Sequence, residues 1–218
     1  MKGLTNNTIV VANSAAVTER FVTIGDPLNA GLNAYFDKVN ADGGIHGREI
    51  RLLHINDNND TECARSILKH FVETDEVFAL VCHHGSTIVS ATLEDIKNYG
   101  IPAVFFATGI GDLYANEAHT VKEGRNCFPV QPIYVSEGRI LVARSVSDLQ
   151  ATKIGVLYSC DDTGLDLLRG IKFQAEAMSL QIIAQSVEPD TEDMSEMVAA
   201  ILSAQVDFLI LAVSLSSM

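Results

Sequence analysis

Short runs of β-branched and other apolar residues alternate with longer segments of helical period along nearly the whole chain. Ile9-Val10-Val11-Ala12 reads as a buried strand. The segment 27–41 reads as a helix, because Leu28, Leu32, Tyr35, Phe36 and Val39 recur at three- and four-residue spacing and so predict one buried face. Pro27 suits the first helical turn, where its missing N–H has no intrahelical partner. Asp42-Gly43-Gly44 ends the helix, since glycine takes the left-handed cap without steric cost. The alternation continues with strands at 50–55, 77–82, 103–106, 153–158, 181–187 and 206–213. Between them lie helical patterns at 61–72, 87–99, 164–178 and 193–204. Strands joined by helical crossovers predict an α/β fold with parallel sheets, right-handed connections and helices on both faces.

The rhythm breaks once, between 109 and 135, where three glycines and two prolines replace a helical pattern. A helix at 137–148 then restarts it. The break predicts two lobes, 1–130 and 131–218, with a crossing segment near 128–132. Two such lobes on a hinge form a cleft, and ligands of such sheets bind outside the carboxyl ends of the strands. Two strand ends carry polar chemistry. Cys82-His83-His84-Gly85-Ser86-Thr87 leads directly into a helix, where hydroxyls cap and exposed amides attract an anion such as a ligand carboxylate. Phe105-Phe106-Ala107-Thr108-Gly109 leaves its strand with a hydroxyl and a glycine. In a parallel sheet both ends lie on one edge and can converge on a small polar molecule. Ordinary caps and turns of any doubly wound fold look the same in sequence.

Composition narrows the partners. The chain is 47% hydrophobic and 20% charged, enough apolar material for a substantial core. Its net charge of −13, from 28 acidic and 15 basic residues, argues against nucleic acid, whose affinity rests on Lys and Arg. It argues equally against an anionic membrane surface. No stretch approaches the roughly 18 apolar residues that span a bilayer. The start, Met1-Lys2-Gly3-Leu4-Thr5-Asn6-Asn7, is too polar for a secretory leader, which fits either a cytoplasmic chain or one whose leader has been removed. Cys63, Cys82, Cys127 and Cys160 form no C-x-x-C pair, so free buried thiols are expected, with one disulfide left open.

Signatures of enzymes and cofactors fail on inspection. Gly109-Ile110-Gly111 lacks the third glycine of a dinucleotide fingerprint, Tyr114 standing in its place. Asp57-Asn58-Asn59-Asp60-Thr61 is no calcium loop, because Glu62 sits where glycine is needed and Leu68 where a bidentate Glu is needed. A helix N-cap cluster accounts for it better. His83 and His84 are adjacent at a strand end, so their side chains diverge and do not share a metal. Neither a nucleophile elbow, a phosphate loop nor a zinc-protease motif occurs. The expectation is therefore a binding protein without catalytic residues, cofactor or metal.

The stretch Gly31-Leu32-Asn33-Ala34-Tyr35-Phe36-Asp37-Lys38-Val39-Asn40-Ala41-Asp42-Gly43-Gly44-Ile45-His46-Gly47-Arg48 closely resembles the signature of the leucine/isoleucine/valine-binding protein family of ABC transporters. Val77-Phe78-Ala79-Leu80-Val81, Gly85-Ser86-Thr87, Gly100-Ile101-Pro102, Ala107-Thr108-Gly109 and Asp161-Asp162-Thr163-Gly164 follow in the family's order. The resemblance runs over essentially the whole chain and is strongest at 25–110. It implies a type I periplasmic-binding-protein clamp of two lobes, periplasmic or extracellular, which takes an amino acid or small carboxylate and delivers it to an ABC permease or a sensor partner. By the same resemblance, Ser86 and the loop of Ala107, Thr108 and Gly109 hold the ligand carboxylate and amine. Thr87 and Ile24, the latter on the loop after the first strand, join them, and Thr163 stands where many members carry a second-lobe tyrosine. Cysteines that some relatives pair map to Asn59 and Gly85, so that disulfide is absent. Family members run well beyond Met218, which implies a truncated second lobe with apolar faces open to homodimer formation. A ligand-sensing regulator with the same clamp is the alternative. An enzyme on this scaffold would have to draw on Asp57, Asp161 or Asp162.

Overall fold

The computed structural model describes residues 2–18, 21–114, 126–188 and 191–214. It divides into two compact units, Met1–Thr108 with Asp112–Gln131, and Gly109–Gly111 with Pro132–Met218. Both are α/β and every ladder between strands is parallel.

The first unit runs β1 (Thr8–Ser14), α1 (Val22–Ala41), β2 (Glu49–Ile55), α2 (Thr61–Glu73), β3 (Ala79–Val81), α3 (Ser86–Tyr99), β4 (Ala103–Phe106), a 3₁₀ turn at Gly111–Tyr114 whose first residue falls in the second unit, and β5 (Cys127–Pro129). Its sheet has the order β2-β1-β3-β4-β5. β1 pairs residue for residue with β2, from Thr8 opposite Glu49 to Ser14 opposite Ile55. Asp60 starts α2 by accepting the Cys63 amide at 2.7 Å, so that Ala64, Ile67, Leu68, Phe71 and Val72 fall on one buried face. On α3 the buried face is Ile88, Val89, Thr92, Leu93 and Ile96, and Gly100 closes the helix at φ 65°.

Three expectations change here. The first helix opens at Val22 rather than at 27, placing Pro27 just over a turn in, and Ile24 sits in the first turn of α1 instead of on a loop. Tyr35 is 65% exposed, and Gly25 is the one buried residue of α1 among those described. The reason is that the apolar face of α1 borders an open groove. Leu28, Leu32, Phe36, Val81, Phe105 and Phe128 are among the residues around its volume of about 650 Å³. Of the stretch expected to be without a helix, 115–125 lies outside the described residues, and 111–114 forms the 3₁₀ turn.

The second unit runs α4 (Tyr134–Leu149), β6 (Lys153–Ser159), α5 (Asp162–Ala177), β7 (Gln181–Val187), α6 (Ser195–Ser203) and β8 (Phe208–Ala212), with sheet order β7-β6-β8. Val142, Ile154, Val156, Leu167, Leu168 and Ile171 form much of its core. α4 and α5 cross closely at two glycines. A Cβ on Gly138 would lie 2.3 Å from the Leu167 carbonyl oxygen, and one on Gly170 would lie 2.0 Å from that of Val135. Asp161 caps α5, accepting from Gly164 N at 2.9 Å and from Ser159 Oγ at 2.8 Å. Thr163 is thus the second residue of α5. Leu209 and Leu211 on β8 are exposed. Among the described residues no helix is long and apolar enough to cross a membrane, and all four cysteines are free thiols.

Candidate functional site

The carboxyl edge of the five-stranded sheet concentrates the polar chemistry of the first unit. β3 ends early, at Val81, because Cys82 turns into the left-handed region at φ 55°. β4 carries the matching irregularity: its register against β5 shifts between Val104 and Phe106, and Phe105 stands at φ 62°. A left-handed conformation is costly for a bulky side chain, and such strain gathers where a structure aims groups at a site.

Beyond these kinks the two chains come back together. Ala107 N donates to His83 O at 3.0 Å, and His84 bridges Ala107 in parallel register. Gly85 follows at φ 91°, which suits glycine, and α3 begins at Ser86. The N-cap is glycine, which has no side chain of its own to cap the first turn of α3. Ser86 Oγ and Thr108 Oγ1 lie 2.8 Å apart, so the two hydroxyls share a hydrogen bond at the start of the helix. Amides of a first turn and the positive end of the helix dipole favour an anion at such a place.

Beneath the edge lies a polar network. Asn13, at the end of β1, donates from Nδ2 to Asn29 Oδ1 at 3.0 Å, and its Oδ1 lies 2.9 Å from His54 Nδ1. The fully buried His83 ring sits between Ser14 and α3, with Nδ1 3.4 Å from Ser14 Oγ and Nε2 2.9 Å from Thr92 Oγ1. Burial, helped by the neighbouring His84, pushes the His83 pKa down to about 4, against a smaller opposing effect of the Ser14 backbone. Asp57 is also buried. Its Oδ1 accepts from Asn59 N at 2.9 Å, while Oδ2 has no hydrogen-bond partner. Burial raises its carboxyl pKa, opposed by the Asn59 amide and the Ser14 side chain. Sequence reasoning did not mark Asn13, Ser14 or Thr92. The available signal was two polar residues closing an otherwise apolar strand.

The structure thus joins Ser86, Ala107 and Thr108 at one edge, with Thr87 exposed as the second residue of α3. Ile24 is half-buried on α1. Gly109 belongs to the second unit, where its carbonyl accepts from Tyr134 N at 2.8 Å. Thr163 lies half-buried on α5 in that unit.

A model of the periplasmic binding protein family matches residues 8–218. The chain belongs to this family. Solved structures share the fold over nearly all of this chain. The fatty acid ABC transporter substrate-binding protein of Thermomonospora curvata aligns with a TM-score of 0.80 and 24% identity, over 96% of this chain and 52% of its own. A substrate-binding periplasmic protein of Ralstonia solanacearum gives 0.80 and 28%, over 94% and 56%. The branched-chain amino acid transporter substrate-binding protein of Streptococcus pneumoniae, solved with isoleucine, gives 0.77 and 19%, over 94% and 57%. The chain spans about half the length of each of these periplasmic binding proteins. Comparison with curated protein sequences finds no match.

Proposed function

We propose that the chain is the ligand-recognising portion of a periplasmic or extracellular solute-binding protein that holds an amino acid or similar small carboxylate and hands it to an ABC permease. The observation that carries this reading is the Ser86–Thr108 hydroxyl pair at the start of α3, where the N-cap is glycine. A ligand carboxylate accepts there from Ser86 and first-turn amides, and the carbonyl of Ala107 accepts from the ligand amine. The ligands named for two solved relatives, a fatty acid and isoleucine, have a carboxylate in common. Thr87, Ile24, Gly109 and Thr163 are secondary contacts in this reading, and hinge closure is the step that commits the ligand. Binding without turnover is favoured by the state of two of the three acidic candidates. Asp161 is engaged as the cap of α5, also accepting from the Ser214 hydroxyl, and Asp57 is buried.

Thermal unfolding of the chain with a panel of amino acids and small carboxylates tests the proposal. A ligand at a hundred times its dissociation constant stabilises the folded state by roughly 2.7 kcal/mol, a readily visible rise in midpoint. Ser86→Ala should abolish that rise. A midpoint unmoved by the whole panel, or a rise that persists in Ser86→Ala, would refute this assignment.

A further inference from the structure

His84 makes no hydrogen bond or ion pair with any described residue, although it stands at the edge just described. Its bridge partner is Ala107, and residues so paired in a parallel ladder present their side chains on the same face. The preceding pair takes the opposite face. His83 and Phe106 are 3% and 1% exposed and meet edge to face, with ring centroids 6.4 Å apart. His84 therefore turns away from the core on the side of Ala107, one residue before Gly85 and two before Ser86. Its ring is half-buried, and desolvation lowers its pKa, so it is neutral at physiological pH and carries one donor and one acceptor.

Resting on the reading of the Ser86–Thr108 edge as the ligand site, we infer that His84 sets ligand choice: the variable part of the ligand carries a neutral hydrogen-bonding group, an amide or a hydroxyl, rather than an aliphatic chain. The geometry behind this is the juxtaposition of an imidazole without a hydrogen-bond partner among the described residues with the backbone position assigned to the ligand amine. An aliphatic side chain packed there would strip water from both ring nitrogens and return nothing, and sites built for hydrogen bonds discriminate strongly against such analogues. A primary amide or hydroxyl side chain can both donate to and accept from the ring.

Isothermal titration of the full chain decides the matter, with glutamine, asparagine, serine and threonine set against leucine, isoleucine and valine. The wild type should bind its best polar amino acid at least about tenfold tighter than its best aliphatic one, a difference of about 1.4 kcal/mol. His84→Leu should reverse that preference and His84→Gln should keep it. In the wild type, the imidazole ¹⁵N resonances of His84 should move on binding while those of buried His83 stay. Tightest binding to an aliphatic amino acid, or a preference that His84→Leu leaves within about twofold, overturns the inference. If binding is lost in Ser86→Ala in that case, the site assignment survives and only the role of His84 falls. If no amino acid binds the wild type, the inference falls, and the small carboxylates of the unfolding panel decide separately whether the site assignment stands.

Discussion

Protonation of His83 should weaken the first unit in mildly acidic solution, and the structure sets the size of the effect. The ring is 3% exposed, wedged between the end of β1 and α3, with its nitrogens facing Ser14 and Thr92. Its pKa is about 4 in the folded chain, against 6.5 for an unperturbed histidine. The unfolded state therefore binds the proton first as pH falls. Stability is fully present above pH 6.5, drains away between there and pH 4, and is not recovered below. At about 1.4 kcal/mol per pKa unit the whole gap is worth about 3 kcal/mol, of which about 2 kcal/mol is lost between pH 7 and pH 5. His54 and His84 are also lowered by burial and add to the slope, whereas the raised carboxyl of Asp57 opposes it at lower pH. Amide hydrogen exchange of α3, corrected for intrinsic rates, reads the opening free energy of this unit by itself. His83→Gln should flatten the wild-type slope by about 2 kcal/mol between pH 7 and pH 5. Parallel wild-type and mutant curves would refute the argument. So would a His83 resonance in the native wild type that titrates near 6.5, a reading that holds even if the mutant folds poorly.

Two further outcomes follow from packing and burial. Gly170→Ala places a methyl 2.0 Å from the Val135 carbonyl oxygen, and Gly138→Ala places one 2.3 Å from that of Leu167. Each should push α4 and α5 apart and cost about 1–3 kcal/mol in urea unfolding, and unchanged midpoints in both would disprove the close crossing. Burial raises the thiol pKa of Cys82, and that of Cys127 to about 11; burial and Glu188 raise that of Cys160 too, but Cys160, like Cys63, is half-exposed and open to a reagent. A disulfide reagent at pH 8 should therefore modify Cys63 and Cys160 in the native chain, and Cys82 and Cys127 only after denaturation. A single rate for all four thiols would contradict this burial pattern.

Strand positions were legible because β-branched runs have few alternatives, and 103–106 and 181–187 match the observed strands to the residue. Helix starts varied in legibility, and α3 opens at Ser86, one residue before the expected 87, although no N-cap side chain marks it. Asp60 caps α2, and the expected start at 61 agrees. α1 and α4 begin after Phe21 and Ile133 with no side-chain cap, and both open several residues before the apolar period becomes visible. The exposure of Tyr35 could not be read from spacing, because period identifies an apolar face without saying what covers it. At the candidate site, the two polar strand ends were visible in sequence. The 2.8 Å contact between Ser86 and Thr108 depends on a tertiary register that no local pattern encodes.

The position of the buried network also bears on why the edge is built this way. Cys82 and Phe105 hold a left-handed backbone shortly before the hydroxyl-bearing Ser86 and Thr108, at a cost on the order of 1–3 kcal/mol apiece. Such strain persists only where the surroundings over-determine it. His83, between these two kinks in the sheet, contacts Ser14 on β1, Thr92 on α3 and the ring of Phe106 on β4. A single side chain thereby fixes three elements that converge beneath Ser86 and Thr108. Groups held in this way need little ordering when a ligand arrives, so less affinity is lost to entropy. Placing a neutral histidine in this core trades acid stability for a rigid, pre-arranged edge. The acid sensitivity expected of His83 and the pairing of Ser86 with Thr108 are thus two consequences of one arrangement. A substitution that removes the first should also loosen the second, and would be seen as faster exchange of the first amides of α3.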